Sequence, residues 1–321
     1  MTSHRPTITF ALAVLGGGAA LGFVRRSDTP QALEPELFLP GVVSTGLDEL
    51  NAVFSPDGAE LYYSINAPEN GLGVIVVSQR RGNAWTAPVV APFSGRYSEY
   101  DPFFSADGSR LFFISNRPTG PADSTNDWDM WAVDRRGDGW SEPVNLGAPV
   151  NTERNEYYPS LAADGTLYFS AVREGGQGSY DVYRSRWVNG AYQEPENLGS
   201  GVNGRGAEID SYIAPDQRFI VFAAYGRDDG PGGGDLYVSY RQPDGTFDTA
   251  TLLGHGINSS AREYCPIGSP DGRYFYWTSK RGFADTPRTR ALTIGELRDS
   301  LAGPRNGEGD IYRIPMRALS R

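Results

Sequence analysis

The sequence predicts an all-β fold: a five-bladed β-propeller of four-stranded antiparallel blades, closed by an N-terminal strand in the last blade. The first observation behind this is a short pattern that recurs five times. Its copies are Ser55-Pro56-Asp57-Gly58, Ser105-Ala106-Asp107-Gly108, Ala162-Ala163-Asp164-Gly165, Ala214-Pro215-Asp216-Gln217 and Ser269-Pro270-Asp271-Gly272. The aspartates lie 50, 57, 52 and 55 residues apart. A regular period of this size marks units that bury their apolar faces only against neighbouring copies. The second observation is that each copy sits between two runs of aromatic and β-branched residues, the signal of a hairpin whose turn needs φ > 0.

The elements follow in order within each repeat. A first strand enters the turn, as in Asn51-Ala52-Val53-Phe54 or Pro102-Phe103-Phe104, and a second leaves it, as in Leu111-Phe112-Phe113-Ile114 or Phe219-Ile220-Val221-Phe222. Asp216-Gln217 lacks the glycine, so a different turn is expected in the fourth hairpin. Third strands begin at Val74, Asp129, Asp181, Asp235 and Asp310. Fourth strands begin at Trp85, Trp140, Tyr192 and Phe247, and three of them soon reach a proline, which an outer edge strand tolerates. Four antiparallel strands make a propeller blade. The fifth repeat ends soon after Ile311-Tyr312 with no fourth strand behind it. Leu37-Phe38-Leu39-Pro40-Gly41-Val42-Val43 resembles the other outer strands and is expected to close the ring there, removing the exposed edges.

Runs such as Ser269-Pro270-Asp271-Gly272-Arg273, Asp310-Ile311-Tyr312 and Trp140-Ser141-Glu142-Pro143-Val144-Asn145-Leu146-Gly147 resemble the WD40-like repeats of TolB-type propellers, over roughly residues 37 to 316. The resemblance is specific for the repeat. It implies a propeller of the kind found in translocation proteins, in scaffolds fused to envelope domains and beside peptidase domains. TolB carries an additional N-terminal domain, for which the repeats leave no span here, so a partner such as a peptidoglycan-associated lipoprotein is not implied.

Three spans are expected: residues 1–27 as a signal peptide or uncleaved membrane anchor, 28–36 as a linker, and 37–321 as one propeller domain. Ile8 to Val24 is an uncharged run behind His4 and Arg5, in the range of a signal-peptide core and marginal for a spanning helix. Arg25-Arg26 follow it directly, and no Ala-x-Ala site is evident. The expected location is the periplasm or the exterior, with contact to membrane only through residues 8–24. Net charge is −10, with Lys280 the one lysine, which disfavours nucleic acid as a partner. The one cysteine, Cys265, allows no internal disulfide and is expected to be a small core residue.

Candidate site residues emerge from the register. Eight positions before each repeat aspartate stands a glutamate: Glu49, Glu99, Glu156, Glu208 and Glu263. The first strand runs toward the Asp-Gly turn and the second runs back. The glutamates therefore share a face with the ends of the second strands, Arg117, Arg173, Arg227 and Arg281, and the starts of the third, Asp129, Asp181, Asp235 and Asp310. The same face receives the long loops, including one with a short helix expected over 294–301. Trp128, Tyr100, Tyr157 and Tyr264 fall in or beside these loops. Function concentrates on loops held by a rigid scaffold, so this face is the expected binding surface.

Two roles are open to the charged set: salt bridges from blade to blade that lock the ring, and ligand binding, where carboxylates would also suit Ca²⁺. Asn151, Asn203 and Asn258, each five residues before its glutamate, are expected to form Asx-type turns. With His4 and His255 the only histidines, a His-rich zinc site is excluded, and no nucleophile elbow or phosphate loop is present. Glycoside hydrolysis needs only two suitably spaced carboxylates and stays open. The expected function is a monomeric, exported binding or scaffold protein for an envelope protein or glycan, without a cofactor. The alternative is a carbohydrate-active enzyme using two carboxylates of the loop-bearing face.

Overall fold

The computed structural model describes residues 33–67, 71–121, 123–282 and 288–319, and from Leu33 onward these form one compact unit. It is a five-bladed β-propeller, as the repeats require. Blade 1 is built from β2 (Asp48–Phe54), β3 (Glu60–Ala67) and β4 (Leu72–Arg81), with the short β5 (Ala84–Trp85) and β6 (Val89–Val90) outside them. Blade 2 follows with β7 (Glu99–Phe104), β8 (Arg110–Ser115), β9 (Asp129–Arg136), β10 (Gly139–Trp140) and β11 (Val144–Asn145). In blade 3, β12 (Glu156–Leu161), β13 (Leu167–Ala171) and β14 (Asp181–Ser185) are completed by β17 (Glu196–Asn197), with β15 (Trp187–Val188) and β16 (Ala191–Tyr192) as a side hairpin. Blade 4 contains β18 (Ala207–Ile213), β19 (Phe219–Tyr225), β20 (Asp235–Tyr240) and β21 (Thr251–Leu252). Blade 5 contains β22 (Glu263–Gly268), β23 (Tyr274–Ser279) and β24 (Asp310–Pro315).

The strand that completes blade 5 comes from the N-terminal side. β1 (Glu36–Leu37) pairs antiparallel with β24, Glu36 opposite Arg313 and Leu37 opposite Tyr312. The pairing begins one residue earlier than expected and ends sooner, because Leu39 turns into the left-handed region at φ 45°. Beyond it, the Ser44 hydroxyl bonds both to the Ile311 carbonyl at 3.2 Å and to its N–H at 3.1 Å, extending the closure by side chain. In blades 1 and 2 the outer strand is split in two around a proline, β5 and β6 either side of Pro88 and β10 and β11 either side of Pro143. A proline has no N–H to give the ladder.

Second strands are buried on both faces, which explains their continuous apolar runs: Leu111 to Ile114 and Phe219 to Ala224 are all core. The Asp-Gly turns share one construction. The N–H of the last residue donates to the carbonyl three residues back, from Gly58 to Ser55 at 2.8 Å and from Gln217 to Ala214 at 2.7 Å. Only that last residue has positive φ, so the turn is not the primed type that the Asp-Gly pair suggests. The fourth hairpin uses the same turn as the others, with Gln217 at φ 58°. Its side chain fixes this, accepting from the Tyr168 hydroxyl at 2.8 Å and donating to Asp164 at 2.7 Å. The segment 8–24 lies outside the described residues, and among these no helix is long and apolar enough to cross a membrane.

Candidate functional site

The charged set lies on one face, and its parts are tightly engaged. Arg117 meets Glu99 at 2.9 Å, Arg227 meets Glu208 at 2.9 Å, Arg281 meets Glu263 at 3.2 Å, and Arg173 approaches Glu156 at 3.9 Å. These pairs lie within a blade, where the repeat pattern suggests pairing from blade to blade. Each arginine also donates to the loop entering its blade: to the carbonyls of Phe93, Val150, Val202 and Ile257 respectively for Arg117, Arg173, Arg227 and Arg281. Each lies over aromatic rings of its own blade, Arg227 at 4.5 Å from Tyr237 and Arg281 at 4.9 Å from Tyr312. Thus one side chain ties a carboxylate, a loop and a ring together.

The link between blades runs through the backbone of the same glutamates. The N–H of Glu156 donates to Trp128, of Glu208 to Tyr180, of Glu263 to Gly234 and of Glu49 to Gly309, at 2.8–2.9 Å. The last closes blade 5 on blade 1. At that seam Asp48 accepts from the Gly309 N–H at 2.7 Å and from Lys280 at 3.3 Å. Blade 1 has no arginine at the second-strand end, and Glu49 accepts instead from the N–H and hydroxyl of Thr45. Burial pushes its carboxyl up to about 7.

The third-strand aspartates hold loop ends. Asp181 accepts from the N–H groups of Gln177 and Gly178, Asp310 from Arg305 and Asp235 from Gly232, while Asp129 accepts from the Asn145 side chain at 2.8 Å. Asn151, Asn203 and Asn258 do not make Asx turns. Each side-chain amide accepts from and donates to one third-strand residue (Met130, Val182 and Leu236), standing in for a missing strand partner.

Three of the four aromatic candidates, Tyr100, Trp128 and Tyr157, come together, and Tyr264 does not. Tyr100, Trp128, Tyr157 and Tyr180 form a chain of half-buried rings across blades 2 and 3, with centroids 5.4, 6.4 and 5.5 Å apart. Trp128 is therefore not isolated, as its polar sequence surroundings suggest. Tyr100 is anchored, its hydroxyl donating to Asn66 at 2.7 Å and its ring lying on Gly73, where a Cβ would come within 2.0 Å. Tyr264 is buried between blades, with Arg262 over its ring at 5.6 Å and over Tyr225 at 5.3 Å. The helix expected in the last loop is present as α1 (Ile294–Ala302), capped by Thr293 and Glu296 and wholly unburied.

A second ring escapes the sequence reading. Six positions before each repeat aspartate stand Asn51, Asp101, Tyr158, Asp210 and Cys265, each at φ between 51° and 57°. Each marks a bulge in the first strand, where the register to the second strand shifts. These residues meet at the axis: Asn51 donates to Asp101 at 3.2 Å, Cys265 lies 3.9 Å from Asp210, and the Tyr158 hydroxyl donates to the Pro266 carbonyl at 2.8 Å. Cys265 is buried as expected, but faces the axis. Burial, followed by the charge of Asp210, raises the Asp101 carboxyl well above its ordinary range, and burial raises Asp210 to about 6. One signal was present: Asn and Asp are the residues that most readily enter left-handed backbone inside a strand.

The opposite, turn-bearing face is not featureless. A groove of about 760 Å³ between blades 1 and 2 is lined by Glu60, Arg80, Arg135 and Asp107 among others. An apolar hollow of about 350 Å³ lies at the turn-side end of the axis, between Phe103, Tyr212 and Ile267. Among the described residues no group of three His, Cys, Asp or Glu side chains converges as a metal site.

Solved structures are similar to this protein in fold. The protein is similar to BT0996 in its RGII complex, at 11% identity and a TM-score of 0.53, over 89% of its own length and 91% of the other's. It is similar to a thermostable family-43 glycoside hydrolase, at 10% identity and a TM-score of 0.50, over 84% and 89%. It is also similar to TolB from Acinetobacter baumannii, at 15% identity and a TM-score of 0.48, over 84% of its own length and 54% of the other's. The protein thus spans about half the length of that TolB. No family model matches the sequence, and no curated protein does. At these identities the likeness concerns the fold.

Proposed function

We propose that this propeller is an exported binding protein that engages an envelope protein or glycan through its loop-bearing face. The observation that carries the reading is the continuous arc of Tyr100, Trp128, Tyr157 and Tyr180 on that face. Half-buried aromatic rings on a rigid frame supply contact area at little entropic cost and are favoured as interface anchors. The repeat that resembles TolB-type propellers supports a scaffold role. The glycoside-hydrolase alternative draws less support from the rim, because four of its five glutamates are held by arginines and all five are buried.

The test is a pull-down from envelope extract, paired with a glycan array, comparing the parent with Trp128→Ala, Tyr157→Ala and the turn-face variant Arg80→Ala. The loop-face variants should lose ligand by ~1 kcal/mol or more, as interface anchors do, while Arg80→Ala retains it. Loss with Arg80→Ala alone would move the ligand to the groove of the turn face.

A further inference from the structure

Two carboxylates lie buried on the axis with no cation against them. Asp101 and Asp210 are 6% and 8% exposed, and neither forms an ion pair among the described residues. The amide of Asn51 sits on Asp101 through its nitrogen, while its oxygen, in a side chain 2% exposed, has no partner among the described residues. An unsatisfied buried acceptor beside two buried carboxylates is a costly arrangement unless a donor completes it.

The other ring members limit what that donor can be. Tyr158 has committed its hydroxyl to the Pro266 carbonyl, two blades away. Cys265 offers a thiol, a weak ligand for a hard cation. Calcium asks for six to eight oxygens, and the ring offers oxygens from three side chains. A primary ammonium carries three N–H donors and no acceptor, which matches two carboxylates and one amide oxygen. Tyrosines stand beside this cluster on the loop side. Burial and then the Asp210 charge raise the Tyr225 hydroxyl, and Asp101 contributes to the rise of Tyr157 after burial and Tyr180. Aromatic walls suit the alkyl stem and the charge of such a group.

We infer that the loop-side mouth of the axis binds a primary ammonium group, seated on Asp101, Asp210 and Asn51, as carried by a lysine side chain of a peptide or by a free alkyl amine. This rests on the loop-bearing face being the binding face. Two resident cations flank the mouth. Lys280 is engaged by Asp48 and Glu308, at 3.3 and 3.0 Å. Arg262 is exposed, lies over Tyr225 and Tyr264, and acts electrostatically on Asp210. It should therefore compete with an incoming cation.

The experiment is isothermal titration of the full chain with cadaverine, with the blocked peptide acetyl-Gly-Lys-Gly-amide, with its norleucine analogue and with calcium chloride. Saturable binding of cadaverine or the lysine peptide, and none of the norleucine peptide, is expected; the tighter of the two amines identifies the source. Asp210→Asn should weaken it at least tenfold and Arg262→Ala should tighten it. Asn51→Gly, which keeps the left-handed backbone without the acceptor, should weaken it too and serves if Asp210→Asn does not fold. No saturable amine binding, binding unchanged in both Asp210→Asn and Asn51→Gly, or calcium excluding the amines would each overturn the inference. If amines fail to bind while Trp128→Ala still loses the envelope ligand, only this inference falls.

Discussion

The hydroxyl of Tyr158 in blade 3 donates to the Pro266 carbonyl in blade 5 at 2.8 Å, passing blade 4. The residue is 1% exposed and stands in left-handed backbone at φ 55°, a conformation that its neighbours must enforce. Removing the hydroxyl leaves a buried carbonyl without its partner. Tyr158→Phe should therefore cost ~1–3 kcal/mol in denaturant unfolding, and Tyr158→Ala more, since a cavity is added. A phenylalanine variant as stable as the parent would show that the axis does not depend on this bond.

Glu208 and Arg227 meet at 2.9 Å, with the carboxylate fully buried and the guanidinium on the Val202 carbonyl as well. Glu208→Gln and Arg227→Met, singly and together, form a double-mutant cycle. Residues in contact couple by more than ~0.5 kcal/mol, and that is the expected result. Additive single effects would remove the pair from the set of contacts that hold the loops.

The two charged rings differ in how far sequence reveals them, and the reason is chemical. Glu99, Glu156, Glu208 and Glu263 make closely similar contacts in their blades, so one residue type recurs at one offset and counting finds it. The axial positions share a backbone conformation but differ in what each side chain does. Asn51 and Asp101 bond to each other, Tyr158 reaches the Pro266 carbonyl, and Cys265 fills space. Such different demands call for near-unrelated side chains, and the repeat is invisible at that offset. Strands, blade number and N-terminal closure were legible because burial imposes one pattern on every copy. The turn of the fourth hairpin was not, because Gln217 holds its left-handed backbone through tertiary bonds to Tyr168 and Asp164.

Ring closure depends on a short segment. β1 contributes two strand residues, and Phe38 adds a bond from its N–H to the Ile311 carbonyl at 2.8 Å and an edge-on contact with Tyr276 at 4.9 Å. Deleting residues 33–46 would leave the outer edge of β24 unpaired and expose Tyr276. Such an edge templates pairing with other chains. The truncated protein is expected to aggregate or to melt at much lower temperature, measured by light scattering and thermal denaturation. A monomeric, equally stable product would show that the ring closes without β1.

Glu49 gives the fold a pH dependence of defined sign. Burial raises its carboxyl to about 7, above the ordinary 4.5, outweighing the hydrogen bonds from Thr45; Asp310 and Asp48 add to the rise. The folded state thus binds this proton more tightly than the unfolded chain does. Its contribution is fully present below pH ~4.5 and is lost as pH climbs toward ~7. Glu156, raised to about 7, and Asp310, raised to about 6, act in the same sense, so one substitution can only reduce the slope. Urea midpoints of the parent should fall between pH ~4.5 and ~7.5. In Glu49→Gln, whose amide cannot ionise, the fall should be smaller, and the variant should gain on the parent as pH rises. An identical fall in both proteins would mean that Glu49 titrates as an exposed carboxylate, and that the Thr45 turn and the seam with blade 5 do not shut it from water.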